Sequence, residues 1–267
     1  MKDYPPGRLK RFGQGARHLW QRWVDPVFSI QRAVTSLGPY TRYLSSWRRY
    51  KNLPGAEPLR FRDSYPCLFD ATDVTPYDPH YFYQAVWAMG RIARNGAKKH
   101  VDVGSDVIFV GLLATHLSVT FVDFRPLGAK LPQLTSVAGT ILALPFADRS
   151  IDSISCLHVA EHVGLGRYGD PLDPSGTRRA CVELARVLAP RGNLFFSVPV
   201  GQPRVCFNAH RIHSPGQILD YFSSLDLVEF SAVDDRGELL IDAKPEQLEN
   251  VVYGCGLFWL RRNRSSQ

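Results

Sequence analysis

Helix-like and strand-like patterns of apolar residues follow each other along the chain from residue 81 onwards. Residues 81–95 have apolar side chains at helical spacing, basic residues near their end and Gly96 directly after them, which predicts a helix that ends there. Short apolar runs beyond this point predict strands at residues 100–103, 119–124, 150–158, 193–199, 227–233 and 251–262, and amphipathic segments predict helices at residues 108–116, 177–188 and 214–222. This alternation predicts a mostly parallel sheet with helices on both faces.

The beginning of the chain has a different pattern. The apolar residues of residues 20–37 recur at spacings of three and four, which places them on one face of a helix. Gly38 and Pro39 predict the end of that helix. Residues 40–50 then predict a second short segment, in which aromatic and basic side chains are mixed.

Charge divides the chain into the same two parts. Residues 1–62 carry thirteen Lys and Arg against three Asp and Glu, a net charge of +10, whereas residues 63–267 carry a net charge of −3. We therefore predict a basic, partly helical arm over residues 1–62 and one α/β domain over residues 63–267.

Two interpretations of the arm remain open. Its apolar face packs on the domain while its basic side chains are solvated, or its tryptophan-bearing helix lies on an anionic membrane surface. Aromatic and basic residues do not interleave regularly, so no nucleic acid partner is expected. The sequence does not predict the oligomeric state.

The remaining composition favours a cytoplasmic protein. No stretch approaches the roughly 18 to 20 apolar residues of a membrane span, and the basic start of the chain has no apolar segment behind it, so no signal peptide is expected. The five cysteines are scattered without a CxxC pair, which favours free thiols in a reducing compartment. If the arm binds membrane, we expect peripheral association at the inner membrane face.

Four stretches stand at the ends of predicted strands or lead into them. They are HVDVGS at residues 100–105, VD at residues 122–123, GTILALPFADRSID at residues 139–152 and ELARVLAPRG at residues 183–192. In this order and spacing they resemble class I S-adenosylmethionine-dependent methyltransferases. The resemblance implies a Rossmann-like α/β fold with an antiparallel last strand, and a site at the carboxyl ends of the strands.

The resemblance also implies where S-adenosylmethionine would bind. In this superfamily an acidic residue at the end of the second strand accepts hydrogen bonds from the ribose hydroxyls, and Asp123 has that position. The residues that the resemblance assigns to the cofactor are Asp102, Gly104, Ser105, Asp123, Thr140, Leu142 and His158.

A narrower resemblance covers two further segments. SCLHVAEHVGLGRYGDPLDP at residues 155–174 and FNAHRIHSP at residues 207–215 resemble the domain-of-unknown-function family 268, a methyltransferase-like group, and DFRPL at residues 123–127 fits it too. This resemblance implies a fold and a site more than an activity.

Three positions depart from the methyltransferase pattern. The loop of that superfamily runs Asp-x-Gly-x-Gly-x-Gly, and its second and third glycine positions hold Asp106 and Ile108 here. A carboxylate at Asp106 would face the cofactor's own carboxylate, which is unfavourable in a partly buried site. Thr140 stands where an aspartate contacts the adenine. A methyltransferase-shaped domain that does not bind this cofactor therefore remains an alternative.

The loop after the fourth strand concentrates residues suited to catalysis. Histidine has a pKa near neutrality and can remove the proton of a hydroxyl acceptor, so we predict His162 as the base. Arg167 can bind a carboxylate or phosphate through paired hydrogen bonds. We predict Glu161 and Asp170 as further catalytic residues and Tyr168 as a substrate contact, although Glu161 and His162 can also serve only to order the loop.

A second polar cluster follows the fifth strand, which ends beside the same pocket. It supplies His210 as a catalytic candidate and Asn208 and Arg211 as substrate contacts. No two histidines have the i, i+4 spacing of metal ligands on one helix, so no metal is predicted. Cys156 lies inside a strand, where a buried apolar role is expected.

Taken together, these patterns predict an S-adenosylmethionine-dependent O-methyltransferase. Its predicted acceptor is a sugar or glycolipid of polysaccharide biosynthesis, because the arm is basic and the loops are polar. Two alternatives stay open: a glycan-modifying transferase that uses another donor such as a nucleotide sugar, and a catalytically silent scaffold in a glycan assembly complex.

Overall fold

The computed structural model describes residues 30–263 and divides the chain into two compact units. The first unit extends to Pro76 and the second begins at Tyr77. The charge pattern of the sequence predicts the corresponding boundary between residues 62 and 63.

A single helix dominates the described part of the first unit. Helix α1, Ile30–Lys51, continues through Gly38 and Pro39, so the predicted stop at these residues is wrong. Proline removes one backbone donor, but the helix continues on both sides, and the Thr41 hydroxyl donates to the Gly38 carbonyl across this turn at 2.7 Å. The predicted helical residues before residue 30 lie outside the described part. Among residues 30–263, no helix is both long and apolar enough to cross a membrane.

The second unit is built on one eight-stranded sheet with the order β3-β2-β1-β4-β5-β10-β8-β9, and a separate hairpin of β6 and β7. The strands are β1 Lys99–Val103, β2 Ser118–Asp123, β3 Leu134–Ala138, β4 Ile151–Leu157, β5 Leu188–Val200, β6 Arg204–Cys206, β7 His210–Ile212, β8 Asp226–Val233, β9 Leu239–Leu240 and β10 Gly254–Arg261. The helices are α2 Pro79–Asn95, α3 Val107–Leu113, α4 Gly176–Val187 and α5 Pro215–Tyr221.

Strand direction confirms the predicted fold class. Strands β1 to β5 pair in parallel with their neighbours, while β10 lies antiparallel between β5 and β8. The predicted antiparallel last strand is therefore confirmed. Since parallel strands end at one edge of the sheet, the loops after β1, β2, β4 and β5 meet there.

Two hydrophobic clusters cover the two faces of the sheet. Helices α2 and α3 bury Trp87 and Phe109 on one face, and helices α4 and α5 contribute Leu184 and Ile218 to the other. Each buried side chain of this size stabilises the fold by roughly 1.5 to 3 kcal/mol through removal of apolar surface from water. This packing fixes the strands and so the edge at which the loops meet.

Local caps explain where the helices begin and end. The Asp78 carboxylate accepts the backbone N–H groups of His80 and Tyr81 at the start of α2. Gly96 ends the same helix with a φ of 69°, a left-handed conformation that glycine adopts without strain. The first turn of α2 is thereby held in position, with His80 inside it.

Candidate functional site

A cavity of about 580 Å³ lies at the carboxyl edge of the sheet. The loops after β1, β2 and β4 line it, together with the segment that follows β3. Five of the seven predicted cofactor residues lie on its wall, namely Gly104, Asp123, Thr140, Leu142 and His158. The structure thus brings residues from four separate segments to one place.

The other two predicted cofactor residues, Asp102 and Ser105, do not line the cavity but fix the backbone of the loop after β1 through hydrogen bonds. Asp102 accepts the backbone N–H of Ser105 at 3.0 Å and the hydroxyl of Ser155, and it is fully buried. The Ser105 hydroxyl oxygen accepts the backbone N–H of Leu157 at 3.0 Å. Burial raises the pKa of Asp102 to about 6, an increase that the hydrogen bonds from Ser155 and Ser105 oppose. Asp102 and Ser105 therefore position the backbone of Gly104 rather than line the cavity.

Gly104 and Asp123 face each other across this part of the cavity. A Cβ on Gly104 would lie 3.6 Å from Oδ2 of Asp123 and 3.1 Å from a methyl group of Val159. The other carboxylate oxygen of Asp123, Oδ1, accepts the backbone N–H of Arg125 at 2.7 Å. Oδ2 is consequently the oxygen of Asp123 that is available to a ligand.

An aromatic and basic rim that the sequence analysis missed follows Asp123. The Arg125 guanidinium lies 4.8 Å from the ring centres of both Phe124 and Tyr168. Phe124 and Arg125 belong to the DFRPL segment. The sequence signal that could have identified them was therefore this motif and not a charge or spacing pattern. Tyr168 lies at the predicted substrate side of the cavity.

Asp106 and Ile108 point away from this cavity. The Asp106 carboxylate accepts the backbone N–H groups of Ile108, at 2.9 Å, and Phe109, and so forms the N-cap of α3. Asp106 and Ile108 instead line a second cavity, whose wall comes from α2 and α3.

Glu161 forms the centre of the loop after β4. Its carboxylate is fully buried, with Oε1 3.0 Å from Nδ1 of His158 and 3.6 Å from Nε2 of His162. Burial acts to raise the pKa of Glu161, but the neighbouring His158 lowers it below its ordinary value. Glu161 therefore acts on the two histidines and does not itself reach the cavity.

His162, Arg167 and Asp170 are held by backbone groups. Nδ1 of His162 donates to the carbonyl oxygen of Ala209 at 2.5 Å, and Arg167 donates to the same oxygen at 3.1 Å. The Asp170 carboxylate accepts the backbone N–H groups of Gly164, at 2.6 Å, and Tyr168, at 3.2 Å. His162 and Asp170 line the cavity, with Asp170 also closing the turn of its own loop.

The cluster after β5 separates into different roles. Arg211 is buried and donates to the carbonyl oxygens of Val163, at 2.5 Å, and Asp173, at 2.8 Å, so it ties down the loop after β4. Asn208 is exposed. His210 is partly buried, and burial lowers its pKa below the ordinary value, which keeps its imidazole neutral near pH 7.

Three residues beside this cluster were not expected from the sequence. His80 from α2 and Cys255 from β10 lie beside His158, and the ring of Tyr253, directly before β10, has its centre 5.0 Å from that of His80. Nε2 of His158 lies 3.3 Å from Sγ of Cys255, and the ring centres of His80 and His158 are 5.6 Å apart. These residues are far from His158 in sequence, so only the sheet order brings them together.

Comparison with known proteins supplies the family context for this geometry. Residues 136–251 match the family described as Caenorhabditis protein of unknown function, DUF268, the family that the sequence analysis named, although the match covers less than half of the chain. No curated protein sequence matches the chain.

Solved structures match over about two thirds of the chain. A candidate sarcosine dimethylglycine methyltransferase from Galdieria sulphuraria matches with a TM-score of 0.50 and 14% identity, covering 68% of this chain and 86% of that one. A candidate methyltransferase from Bacillus halodurans C-125 matches with a TM-score of 0.50 and 16% identity, covering 67% and 98%. The complex of the Haloferax volcanii Trm112 methyltransferase activator and its candidate methyltransferase contains a chain that matches with a TM-score of 0.51 and 15% identity, covering 70% and 92%.

The second unit has the class I methyltransferase fold. The predicted fold is thereby confirmed. The cavity that Gly104 and Asp123 share lies at the edge of the methyltransferase fold where the resemblance implies the cofactor.

A second cavity of about 600 Å³ adjoins this edge of the methyltransferase fold. Its wall comes from α2 and α3 and consists mainly of apolar side chains. Tyr81 lines it and also stacks on His158, with ring centres 5.4 Å apart. The remaining lining residues include Phe82, Val86, Met89, Ile108, Leu112 and Leu157. An apolar groove thus lies directly beside the polar loop after β4.

Proposed function

We propose that this protein binds S-adenosylmethionine in the cavity at the carboxyl edge and methylates a hydroxyl group of a sugar or glycolipid. The observation that carries the proposal is the convergence of the Gly104 backbone, Asp123 Oδ2 and Thr140 in one cavity on a class I methyltransferase fold. Bound there, S-adenosylmethionine supplies an electrophilic methyl group and leaves as S-adenosylhomocysteine.

The residues present fit this cofactor. Asp123 Oδ2 is open to the ribose hydroxyls, and Ile141 and Leu142 provide apolar contacts for an adenine ring. Gly104 has no Cβ, so its bare backbone can approach the ligand. A Cβ at this position would lie close to Val159. The carboxylate of Asp106 caps α3 and lines the other cavity, so it does not oppose binding of the methionyl carboxylate near Gly104.

Transfer to a hydroxyl requires a base that accepts the hydroxyl proton as the oxygen attacks the methyl carbon. His162 and His210 are the candidates, with ring centres 6.4 Å apart. Nδ1 of His162 is engaged by the Ala209 carbonyl and its Nε2 faces Glu161. His210 is neutral near pH 7, and no hydrogen bond of its ring to another described residue is seen. We therefore favour His210 as the base, with His162 orienting the loop beside it.

The second cavity supports a glycolipid over a free sugar. Its apolar wall can bury an alkyl chain while the sugar reaches the polar loop, since Tyr81 and His158 lie between the two. The net charge of +10 on residues 1–62 supports attraction to an anionic membrane surface, where such a lipid is found. We accordingly place the protein in the cytoplasm, at the inner face of the membrane.

Methyl transfer from isotope-labelled S-adenosylmethionine tests the acceptor class. The probes are octyl glycosides and methyl glycosides of the same sugars, which differ only in the apolar tail. We expect the octyl glycosides to be methylated with the lower KM. Equal KM values for both would contradict a role of the apolar cavity, and absence of transfer to either would contradict the acceptor class.

Variants of the two histidines test the base. We expect His210→Gln to lower kcat by roughly 10²- to 10⁴-fold with S-adenosylhomocysteine affinity nearly unchanged. His162→Gln serves as the matched variant, and a larger loss there than in His210→Gln would assign the base to His162 instead.

A further inference from the structure

Three potential metal ligands converge at the same edge of the sheet, from segments far apart in the chain. His80 lies in the first turn of α2, His158 follows β4 and Cys255 lies in β10. One ligating atom from each residue falls within 4.8 Å of the others. We propose that His80, His158 and Cys255 bind a Zn²⁺ ion, a site that is separate from the proposed methyl transfer.

The distance between two of the three ligands suits tetrahedral zinc. Zinc binds imidazole nitrogen at about 2.0 to 2.1 Å and thiolate sulfur at about 2.3 Å, so two such ligands of one tetrahedral ion are about 3.5 Å apart. Nε2 of His158 and Sγ of Cys255 are 3.3 Å apart. Two imidazoles and one thiolate form a ligand set that Zn²⁺ favours over harder ions such as Mg²⁺ or Ca²⁺.

The surroundings of His158 orient it as a ligand. Its Nδ1 contacts the buried Glu161 carboxylate at 3.0 Å, which leaves Nε2 directed at Cys255. A carboxylate behind a metal-binding histidine is the usual arrangement in zinc sites, because it fixes the ring and its tautomer. Aromatic rings hold the ligands from the sides: Tyr81 stacks on His158, and Tyr253 lies 5.0 Å from the ring centre of His80.

Charge balance also favours a cation here. Glu161 is fully buried, and its carboxylate oxygens have no hydrogen-bond partner of regular geometry among the described residues. A Zn²⁺ ion with one thiolate ligand carries a net charge of +1, which balances the Glu161 carboxylate. A hydrogen bond between His158 and Cys255 alone would explain their contact, but it does not account for His80, whose ligating atom lies within 4.8 Å of both.

The ion would join three elements around the proposed active site. It would fix the first turn of α2 to the loop after β4 and to β10, beside the cavity that His158 lines. The three protein ligands leave a fourth position for water or another group.

Zinc content of the full-length protein tests the proposal. After incubation with Zn²⁺ and dialysis, we expect one equivalent per chain by elemental analysis, and the Co²⁺ form should show a thiolate-to-cobalt charge-transfer band in the near ultraviolet. Cys255→Ser should abolish the band and the bound zinc, whereas Cys181→Ser and Cys67→Ser, a buried and an exposed cysteine elsewhere, should keep both. Glu161→Gln should weaken zinc binding by about 10- to 100-fold.

Three outcomes would overturn the proposal. They are less than stoichiometric zinc in the unaltered protein, a Co²⁺ form without the charge-transfer band, and retention of zinc by Cys255→Ser. Should Cys255→Ser not fold, His80→Gln replaces it, and unchanged zinc affinity in that variant would be equally contradictory. Binding of S-adenosylhomocysteine is measured separately, so failure of the zinc site and failure of the proposed activity are distinguishable.

Discussion

Gly104 lies where β1 turns into the loop over the cavity, with a φ of 70° that residues bearing a side chain rarely adopt. A Cβ there would lie 3.1 Å from Val159 and would occupy space next to Asp123 Oδ2. We expect Gly104→Ala to lower the free energy of unfolding by about 1 to 2 kcal/mol because of the backbone strain. It should also weaken binding of S-adenosylhomocysteine, as measured by calorimetry.

Gly111 provides the matched control for this substitution. It lies in α3, and a Cβ there would meet nothing within 4 Å. We expect Gly111→Ala to raise the free energy of unfolding by up to about 1 kcal/mol through helix propensity, with no effect on ligand binding. Equal ligand affinity of the Gly104→Ala variant and the unaltered protein would show that the loop after β1 is not part of the binding site.

His100 makes the stability of the fold depend on pH. It is buried in β1, its two ring nitrogens lie 2.8 Å from the hydroxyl groups of Ser153 and Ser155, and burial lowers its pKa from 6.5 to about 3. Below pH 6.5 the unfolded chain therefore binds a proton that the folded protein excludes until about pH 3. His100 thus removes stability as the pH falls through this window, by up to about 1.4 kcal/mol per pH unit.

Asp102 changes the stability with pH in the opposite direction to His100, so the experiment has to separate the two effects. Its pKa is raised from 3.8 to about 6, and its contribution to stability decreases as the pH rises through that interval. Chemical denaturation between pH 4 and pH 7 should show a smaller loss of stability on acidification for His100→Gln than for the unaltered protein. His116→Gln, at an exposed histidine, is the control. Parallel pH curves for His100→Gln and the unaltered protein would contradict a buried neutral His100.

For single residues, sequence patterns predicted where the site residues lie better than they predicted what each residue does. Gly104 and Asp123 stand in a common cavity because the motif order fixes which strand ends they follow, and Thr140 joins them from the segment after β3. Asp102 and Ser105 belong to the same motif, yet burial turns both towards the loop backbone. The proximity of His80 and Cys255 to His158 depends on strand order across the sheet, which no local pattern encodes.

At the scale of elements, the start of α3 is where this chain departs most from the methyltransferase pattern. Asp106 caps the helix, so its charge is used by backbone N–H groups outside the proposed cofactor cavity. Asparagine caps helices as well as aspartate does. We therefore expect Asp106→Asn to change both the free energy of unfolding and the S-adenosylhomocysteine affinity little, by less than about threefold in Kd.

Asp106→Ala completes this experiment, because it removes the cap as well as the charge. It should cost about 1 kcal/mol of stability, measured by chemical denaturation. If Asp106→Asn instead tightened ligand binding by tenfold or more, equivalent to about 1.4 kcal/mol, the carboxylate would face the ligand directly.

The elements that sequence patterns predicted are those with strong apolar periodicity. Helix α2 and strands β4 and β5 bury whole faces, so their patterns are clear. Strands β3 and β6 bury no residue fully, β7 has only three residues, and none of these strands was predicted. In α1 the Gly38-Pro39 pair resembled a stop, but the helix continues because proline removes only one hydrogen bond.

At the scale of the whole molecule, charge asymmetry is the feature that the methyltransferase fold does not explain. The last turn of α1 carries Arg48, Arg49 and Lys51. If the basic arm binds a membrane, replacing these three residues by Glu should weaken binding to anionic phosphatidylserine vesicles by at least about 100-fold at low salt, given about 1 kcal/mol per basic residue.

Vesicle sedimentation at low and high ionic strength measures this effect. Binding of the unaltered protein should decrease as salt screens the charges. Arg178→Glu, on an exposed position of α4, should bind as the unaltered protein does. Vesicle binding that is absent or insensitive to salt would indicate that the basic side chains of the arm are simply solvated.

Calorimetric titration of the full-length protein with S-adenosylhomocysteine tests whether the cavity at the carboxyl edge binds the proposed cofactor. We expect binding of one ligand per chain, weakened by roughly 10- to 100-fold in Asp123→Asn because the ribose hydroxyls lose a charged acceptor. Asp152→Asn, at an exposed position near the start of β4, should bind normally. Absence of binding at millimolar ligand, together with clear binding of a nucleotide sugar such as UDP-glucose, would contradict S-adenosylmethionine as the cofactor and favour a different donor in the same cavity.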